Sequence, residues 1–207
     1  MTKNIVAEHD LQLLKNDEYL MRVLAASENF YRAAFERPKC IQDFGFTVMS
    51  RSSSIDLEKL LHSLGVTGIH DACAGSGWVA GMLAAHTSLD VTASDLMQEG
   101  KWPFQFGRFH PTEQEDAVMI APRVAAAGKA LLLPWVDYEA TWGTEAVQAF
   151  RRAGGRTVVL VHEGEWGCIA HPSLFEELNV YWSEGTEVPL KSWDSIHDRL
   201  EVFTLKH

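Results

Sequence analysis

The stretch His70–Leu83 reads HDACAGSGWVAGML. An apolar run, VTGIHDAC, leads into it; Gly75 and Gly77 let the backbone turn sharply, and a helix-forming run begins at Trp78. Strand, glycine turn and helix open a βαβ unit, and open α/β sheets bind ligands there, outside the carboxyl ends of the strands. A second strand candidate, DVTASD, delivers Asp95 at its own carboxyl end, 20 residues after Gly75. An acid in that position can accept both hydroxyls of a ribose.

The alternation continues downstream. VTGIHDAC, DVTAS, KALLLPW and RTVVLVHE are strand candidates ending near Cys73, Ser94, Trp135 and Glu163. Between them the pattern predicts helices over Trp78 to Ala85, Glu113 to Ala127 with an interruption at Pro122, and Thr144 to Ala153, closed by Gly154 and Gly155. Such alternation means a mostly parallel sheet with helices on both faces. Two further β-like runs, ELNVYWSE and DRLEVFTLK, have no long helix between them, so an antiparallel last strand is expected.

Upstream, residues 1–65 predict a helical cap belonging to the same domain as the 66–207 core. Leu13, Leu20 and Leu24 recur at helical spacing, and Phe30, Tyr31 and Phe35 extend an apolar face until Pro38 interrupts it. Ser53, with Asp56 three residues on, resembles a capping box ahead of Leu57, Leu60, Leu61 and Leu64, and Gly65 supplies a stop.

With 18 Lys+Arg against 28 Asp+Glu in 207 residues, the net charge is −10, and the cations are scattered. Phosphate backbones are repelled by such a surface, so nucleic acid is not an expected partner. Three cysteines at irregular spacing (Cys40, Cys73, Cys168) do not make a disulfide framework and suit a reducing compartment. The opening MTKNIVAEHDLQLL has no apolar core of signal-peptide length, and no run approaches the roughly 18 apolar residues of a membrane span. A soluble cytoplasmic protein is the expectation.

Two cofactor classes share the glycine-loop layout. Gly75, Gly77 and Ala80 satisfy G-x-G-x-x-G/A, and the distance to Asp95 suits a nicotinamide dinucleotide. Asp71, four residues before the first of these glycines, faces a pyrophosphate unfavourably but suits a ligand carrying an ammonium and a sulfonium. The long segment before the loop also departs from a simple dinucleotide fold. S-adenosylmethionine is the preferred ligand, with an NAD(P)-dependent oxidoreductase as the alternative.

DACAGSGWVAGML followed by VTASDLM resembles the first two motifs of class I S-adenosylmethionine-dependent methyltransferases. The resemblance extends to a subgroup with an FGF segment before the first core helix, LLLPWVDY at the fourth strand, VVLVHEGEWGC at the fifth and a closing Trp193–Leu200 segment containing IHDRL. It implies a Rossmann-like seven-stranded sheet. It also implies that Asp71, Ala72, Cys73, Gly75 and Gly77 cradle the methionine part, that Asp95 binds ribose with Leu96 against adenine, and that Pro134 and Trp135 line the methyl-transfer site. Cys73 stands where the family usually has its first glycine. Val136 and Asp137 stand where the subgroup more often has Pro-Pro, so the Asp/Asn-Pro-Pro-aromatic motif of amino-methylating nucleic-acid enzymes is absent.

Methyl transfer from a sulfonium mainly requires alignment and exclusion of water. Where a base is needed, Asp137 or Tyr138, after the fourth strand, is the candidate; the plainer reading is a loop cap and a packed ring. His162 and Glu163 are candidates to touch a substrate. The cluster His162, Glu163, Glu165, Cys168 and His171 lacks the tight paired spacing of a zinc site, so no metal is expected. His70, inside an apolar strand, reads as a satisfied core group. Seven tryptophans supply core or pocket wall, with an aromatic cage as a further reading; on that further reading Tyr31, Phe44 and Phe46 close over the cofactor as a lid, and helical core packing accounts for the same three residues otherwise. The expected activity is methylation of a small molecule, less so of a protein side chain; a catalytically silent binding protein of the same fold is the other alternative.

Overall fold

A computed structural model describes residues 6–27, 29–98, 100–164, 167 and 169–206. Four helices come first: α1 (Glu8–Lys15), α2 (Glu18–Ala26), α3 (Phe30–Phe44) and α4 (Arg51–Ser63). The alternating part follows as β1 (Gly68–Asp71), α5 (Trp78–His86), β2 (Asp90–Asp95), β3 (Glu113–Gln114), α6 (Ala117–Ala126), β4 (Ala130–Pro134), α7 (Trp142–Arg152) and β5 (Thr157–His162). α8 (Pro172–Tyr181), β6 (Thr186–Val188) and β7 (Arg199–Thr204) complete the chain.

The strands lie in the order β3-β2-β1-β4-β5-β7-β6, with β7 antiparallel to both its neighbours and the other pairings parallel. This is the Rossmann-like methyltransferase architecture predicted above, with seven strands and an antiparallel last one. It differs from the 3-2-1-4-5-6 order of dinucleotide-binding sheets where β7 inserts between β5 and β6.

Two-residue periodicity divides the core between the sheet's faces. Leu132, Val159, Val161, Leu200 and Val202 pack with Leu14, Tyr19, Phe44, Leu57 and Trp78 from the N-terminal helices and α5. Leu131, Leu133, Val158, Leu160 and Phe203 pack on the opposite face with Ile120, Val124, Phe150, Leu174 and Leu178 from α6, α7 and α8. Helices α1 to α4 thus share one apolar core with this face of the sheet. Polar contacts fasten them further: the Trp193 Nε1–H donates to the Tyr19 hydroxyl at 3.4 Å, Ser53 Oγ to Pro189 O at 2.7 Å, and Arg108 holds Asp10 through Nε at 2.9 Å and a terminal nitrogen at 2.7 Å.

Four local expectations are corrected. Helix α3 runs through Pro38, because buried Cys40 and Phe44 beyond it anchor the helix in the core despite the lost backbone bond. The cap of α4 is Ser50, whose Oγ accepts the Ser53 N–H at 3.1 Å. Glu113 lies in the short strand β3, and α6 starts only after Asp116, whose carboxylate accepts the N–H groups of Val118 and Met119. The run ELNVY is helical: Pro172 begins α8 behind the His171 cap, and Leu174 and Leu178, one turn apart, bury one face of it.

Candidate functional site

The strand β1 ends at Asp71, and its hydrogen-bond ladder continues through Ala72 N–H to Leu132 O at 3.0 Å and Ala74 N–H to Ser94 O at 3.1 Å. The backbone then turns through Gly75 (φ +53°) and Gly77 (φ +77°), the latter capping α5. A side chain at Gly77 would place its Cβ 2.8 Å from His110 N, and one at Gly75 would meet the Phe104 ring at 2.9 Å. The segment that causes both approaches is pinned by hydrogen bonds of 2.9 Å from Gly107 N–H to Gly75 O and from Phe109 N–H to Ser76 O. Both glycines are therefore needed for close approach of this β2–β3 segment. Gly77 faces it rather than the cavity, a different job from the expected cofactor contact.

Asp95 is half-buried at the carboxyl end of β2. Its Oδ2 accepts the Gly75 N–H at 2.9 Å and its Oδ1 the Met97 N–H at 2.8 Å. One bond per oxygen leaves each with acceptor capacity for a hydroxyl. Leu96, beside it, is 47% exposed and offers an apolar face at the cavity. Asp71 lies behind the loop, fully buried and outside the cavity lining. Its Oδ1 accepts the Cys73 N–H at 3.4 Å, its buried Oδ2 has no hydrogen bond of good geometry among the described residues, and the Ala80 N–H also faces the carboxyl. Burial, reinforced by the negative charge of Asp95, pushes its pKa up to about 8. The Cys73 thiol donates to Pro134 O at 3.3 Å; burial raises its pKa well above the ordinary thiol range, so it is no nucleophile.

These groups border a cavity of about 920 Å³ that runs from Asp95 across Ala72, Cys73 and Gly75 to the carboxyl end of β4. Pro134, Trp135, Asp137 and Tyr138 line its far end, so the cofactor and methyl-transfer residues predicted from sequence share one space, Asp71 and Gly77 excepted. Asp137 Oδ1 accepts the Glu139 N–H at 3.0 Å, and its Oδ2 lies 3.7 Å from Lys101 Nζ. Tyr138 is 46% exposed. Trp135 adopts a left-handed backbone (φ 62°), a strained choice for a bulky residue, and its ring stacks on Phe46 with centroids 4.6 Å apart and planes 18° from parallel.

His162 and Glu163 are not brought to this space. His162 is buried on the opposite side of β5, between the rings of Phe175 and Phe203. Its Nδ1 accepts the Gly164 N–H at 2.9 Å, which leaves the proton on Nε2 to bond Glu201 Oε2 at 3.0 Å. Glu163 accepts the His197 N–H at 3.4 Å and lies outside the cavity lining. Tyr31 is also placed away from the cofactor side: it is 79% exposed on the outer face of α3, whereas Phe44 and Phe46 do line the cavity. His70 bridges Thr92 Oγ1 and Ser94 Oγ at 2.9 Å each, and burial lowers its pKa to about 4, so it is a neutral core group. Of the acid and histidine cluster, His171 caps α8, while Glu165 and Cys168, with neighbouring Trp166, lie outside the described residues. Among the described residues no group of three His, Cys, Asp or Glu side chains could hold a metal ion, and no helix is long and apolar enough to cross a membrane.

Sequence reasoning missed Lys101, Trp102, Phe104 and Glu139, all at the cavity. The aromatic alternation WPFQF over residues 102–106 was the available signal. It also missed Asp198, whose buried carboxyl faces the Trp135 indole N–H.

No protein-family model matches the chain, and no curated protein matches it at a significant level. Among solved structures it is similar to the magnesium protoporphyrin IX methyltransferase of Synechocystis PCC 6803 with bound S-adenosylmethionine, at 13% identity over 75% of this chain and 79% of that one, with a TM-score of 0.47. It is also similar to 1,6-didemethyltoxoflavin-N1-methyltransferase of Burkholderia thailandensis with bound S-adenosylhomocysteine (16% identity, 100% and 94% of the chains, TM-score 0.45). A third neighbour is an rRNA methylase from Streptococcus thermophilus (11% identity, 69% and 88%, TM-score 0.42). Those names cover two small-molecule acceptors and one RNA.

Proposed function

We propose that this chain is an S-adenosylmethionine-dependent methyltransferase acting on a small molecule. The observation that carries the reading is one cavity bounded by Asp95 at the end of β2, by the Gly75 loop after β1, and by Asp137 and Tyr138 after β4. The residues present fit the cofactor. Asp95 keeps one acceptor site per oxygen for the two ribose hydroxyls, Leu96 offers a face for the adenine, and the Cys73–Gly75 backbone cradles the methionine end. Asp71, buried behind that cradle and protonated near neutral pH in the free protein, can give up its proton and become a carboxylate when an ammonium approaches.

When bound, S-adenosylmethionine supplies an electrophilic methyl group on a sulfonium sulfur. The protein's share is alignment and water exclusion. Pro134 and Trp135 shape the wall at the transfer point, and Asp137 can take a proton from the acceptor, its carboxylate being kept beside Lys101.

Calorimetry with S-adenosylmethionine, S-adenosylhomocysteine, NAD and NADP tests the reading. Binding of the first two and not of the nucleotides is expected; the reverse outcome would establish the oxidoreductase alternative. Cofactor binding without turnover on any acceptor would instead mark a silent binding protein.

A further inference from the structure

The cavity wall between the Gly75 loop and the carboxyl end of β4 is built from ring planes meeting at a corner. Phe46 and Trp135 form one wall, stacked at 4.6 Å and 18°. Trp102 and Phe104 form a second, their planes 5° apart with centroids separated by 6.4 Å. Each ring of the second wall stands nearly perpendicular to Phe46, at 82° and 85°. Trp102 remains 38% exposed and Tyr138 46% exposed, although both line the cavity. Open aromatic surface in a concave site costs solvation that a ligand would recover, and flat rings prefer face-on and edge-on neighbours at these separations.

Charge narrows the choice. The formally charged side chains lining the cavity are Asp95, Asp116, Asp137 and Glu139 against Lys101, a net of −3. That lysine is already engaged, 3.7 Å from Asp137 and over the Trp102 ring at 5.3 Å. An anionic acceptor would meet a lining with an excess of carboxylates over cations.

We infer that the acceptor is a planar aromatic molecule without anionic groups, carrying the N–H or O–H to be methylated, seated in the corner formed by Phe46, Trp135, Trp102 and Phe104. This rests on the methyltransferase reading and specifies its substrate class. In the transfer, the heteroatom lone pair forms the new bond to the methyl carbon as the carbon–sulfur bond breaks. The electron pair goes to sulfur, giving a neutral thioether, and the acceptor's proton passes to the Asp137 carboxylate and on to solvent.

The test measures binding of matched probes by saturation-transfer NMR, on the free and the S-adenosylhomocysteine-saturated protein, alongside tritiated methyl transfer. Quinolin-8-ol and 5-hydroxyindole represent the class; cyclohexanol and 5-hydroxyindole-2-carboxylate lack the ring or add the charge. At least tenfold preference for the uncharged aromatics is expected, falling several-fold in Trp102→Ala and Phe46→Ala. Thermal melts of both variants establish that they fold, and Trp102, being partly exposed, is the safer of the two. Equal binding of cyclohexanol or of the carboxylate, or no binding of any aromatic probe at millimolar concentration, would overturn the inference. Failure of S-adenosylhomocysteine to bind by calorimetry would strike the methyltransferase reading separately, since the ring preference is also scored on the free protein.

Discussion

Asp95 Oδ2 accepts the Gly75 N–H at 2.9 Å, so the acid that ends β2 is fastened to the loop that follows β1. On the proposed reading, ribose recognition and loop geometry would both fall to one carboxylate. Removing it loses charge-assisted hydrogen bonds of about 1.5–3 kcal/mol to the ligand. Asp95→Ala should weaken S-adenosylhomocysteine binding at least tenfold and also lower the melting temperature, because the Gly75 and Met97 N–H groups lose their acceptors. Calorimetry and a thermal melt read the two effects; an unchanged affinity would place the ribose elsewhere.

On the proposed reading, Asp71 would tie ligand binding to pH. An unfolded aspartate ionises near pH 3.9, whereas burial lifts the folded group to about 8. Between those values the folded state holds the extra proton, so its stabilisation, complete at acid pH, is lost as pH rises through 8. His70 acts oppositely: its pKa is depressed to about 4, so its stabilisation is complete above pH 6.5 and lost as pH falls towards 4. Stability declining between pH 6.5 and 8 therefore belongs to Asp71. Denaturant melts across that window should show the decline in the wild type and its absence in Asp71→Asn. A cationic ligand nearby favours the carboxylate, so S-adenosylmethionine binding at pH 7 should release protons, measured as a heat that differs between phosphate and Tris buffers.

Gly77 supports the loop from the side away from the cavity. Alanine there would have to hold φ +77° and push its Cβ to 2.8 Å from the backbone nitrogen of His110. The expected cost is about 1–3 kcal/mol, a fall of roughly 2–4 °C in melting temperature per kcal/mol for a domain of this size. Gly65 serves as a control, since at φ +76° nothing lies within 4 Å of its would-be Cβ. Gly65→Ala therefore carries only the backbone strain and should cost less. Equal losses in the two variants would show that His110 yields at no cost.

Much of this site was legible because its signals are local. A strand followed by GSGWVAG, and DVTAS followed by Asp95, encode turn and acid placement within a few residues of each other. What escaped depends on tertiary neighbours. His162 sits at a strand end like Asp95, but side-chain alternation along β5 turns it towards Phe175, and no spacing rule says which face carries the cavity. Pro38 marks a break by local propensity that packing of Cys40 and Phe44 overrides. Phe104 reaches Gly75 from nearly 30 residues downstream through an irregular segment, where periodicity carries no information.

Trp135 and Asp198 supply the last prediction. The indole Nε1 is buried at the end of β4, and the group facing it is the Asp198 carboxyl, delivered by the segment before β7. Burial, reinforced by Glu163, raises the Asp198 pKa to about 6 against the opposing pull of the Trp135 N–H, Arg37 and His162. Above that pH the carboxylate is the stronger acceptor facing the indole N–H, and the expectation is that it favours the Phe46-stacked ring. Trp135 emission, isolated by difference against Trp135→Phe, should shift with a midpoint near pH 6 in the wild type. In Asp198→Asn the midpoint should vanish while the fold is retained. Asp198→Leu, which leaves the indole N–H with no acceptor, should raise the acceptor KM several-fold while S-adenosylhomocysteine affinity stays within about twofold, because Asp198 lies outside the cavity lining. A pH-independent Trp135 signal, or an acceptor KM unmoved by the leucine, would mean the ring is held by Phe46 stacking alone.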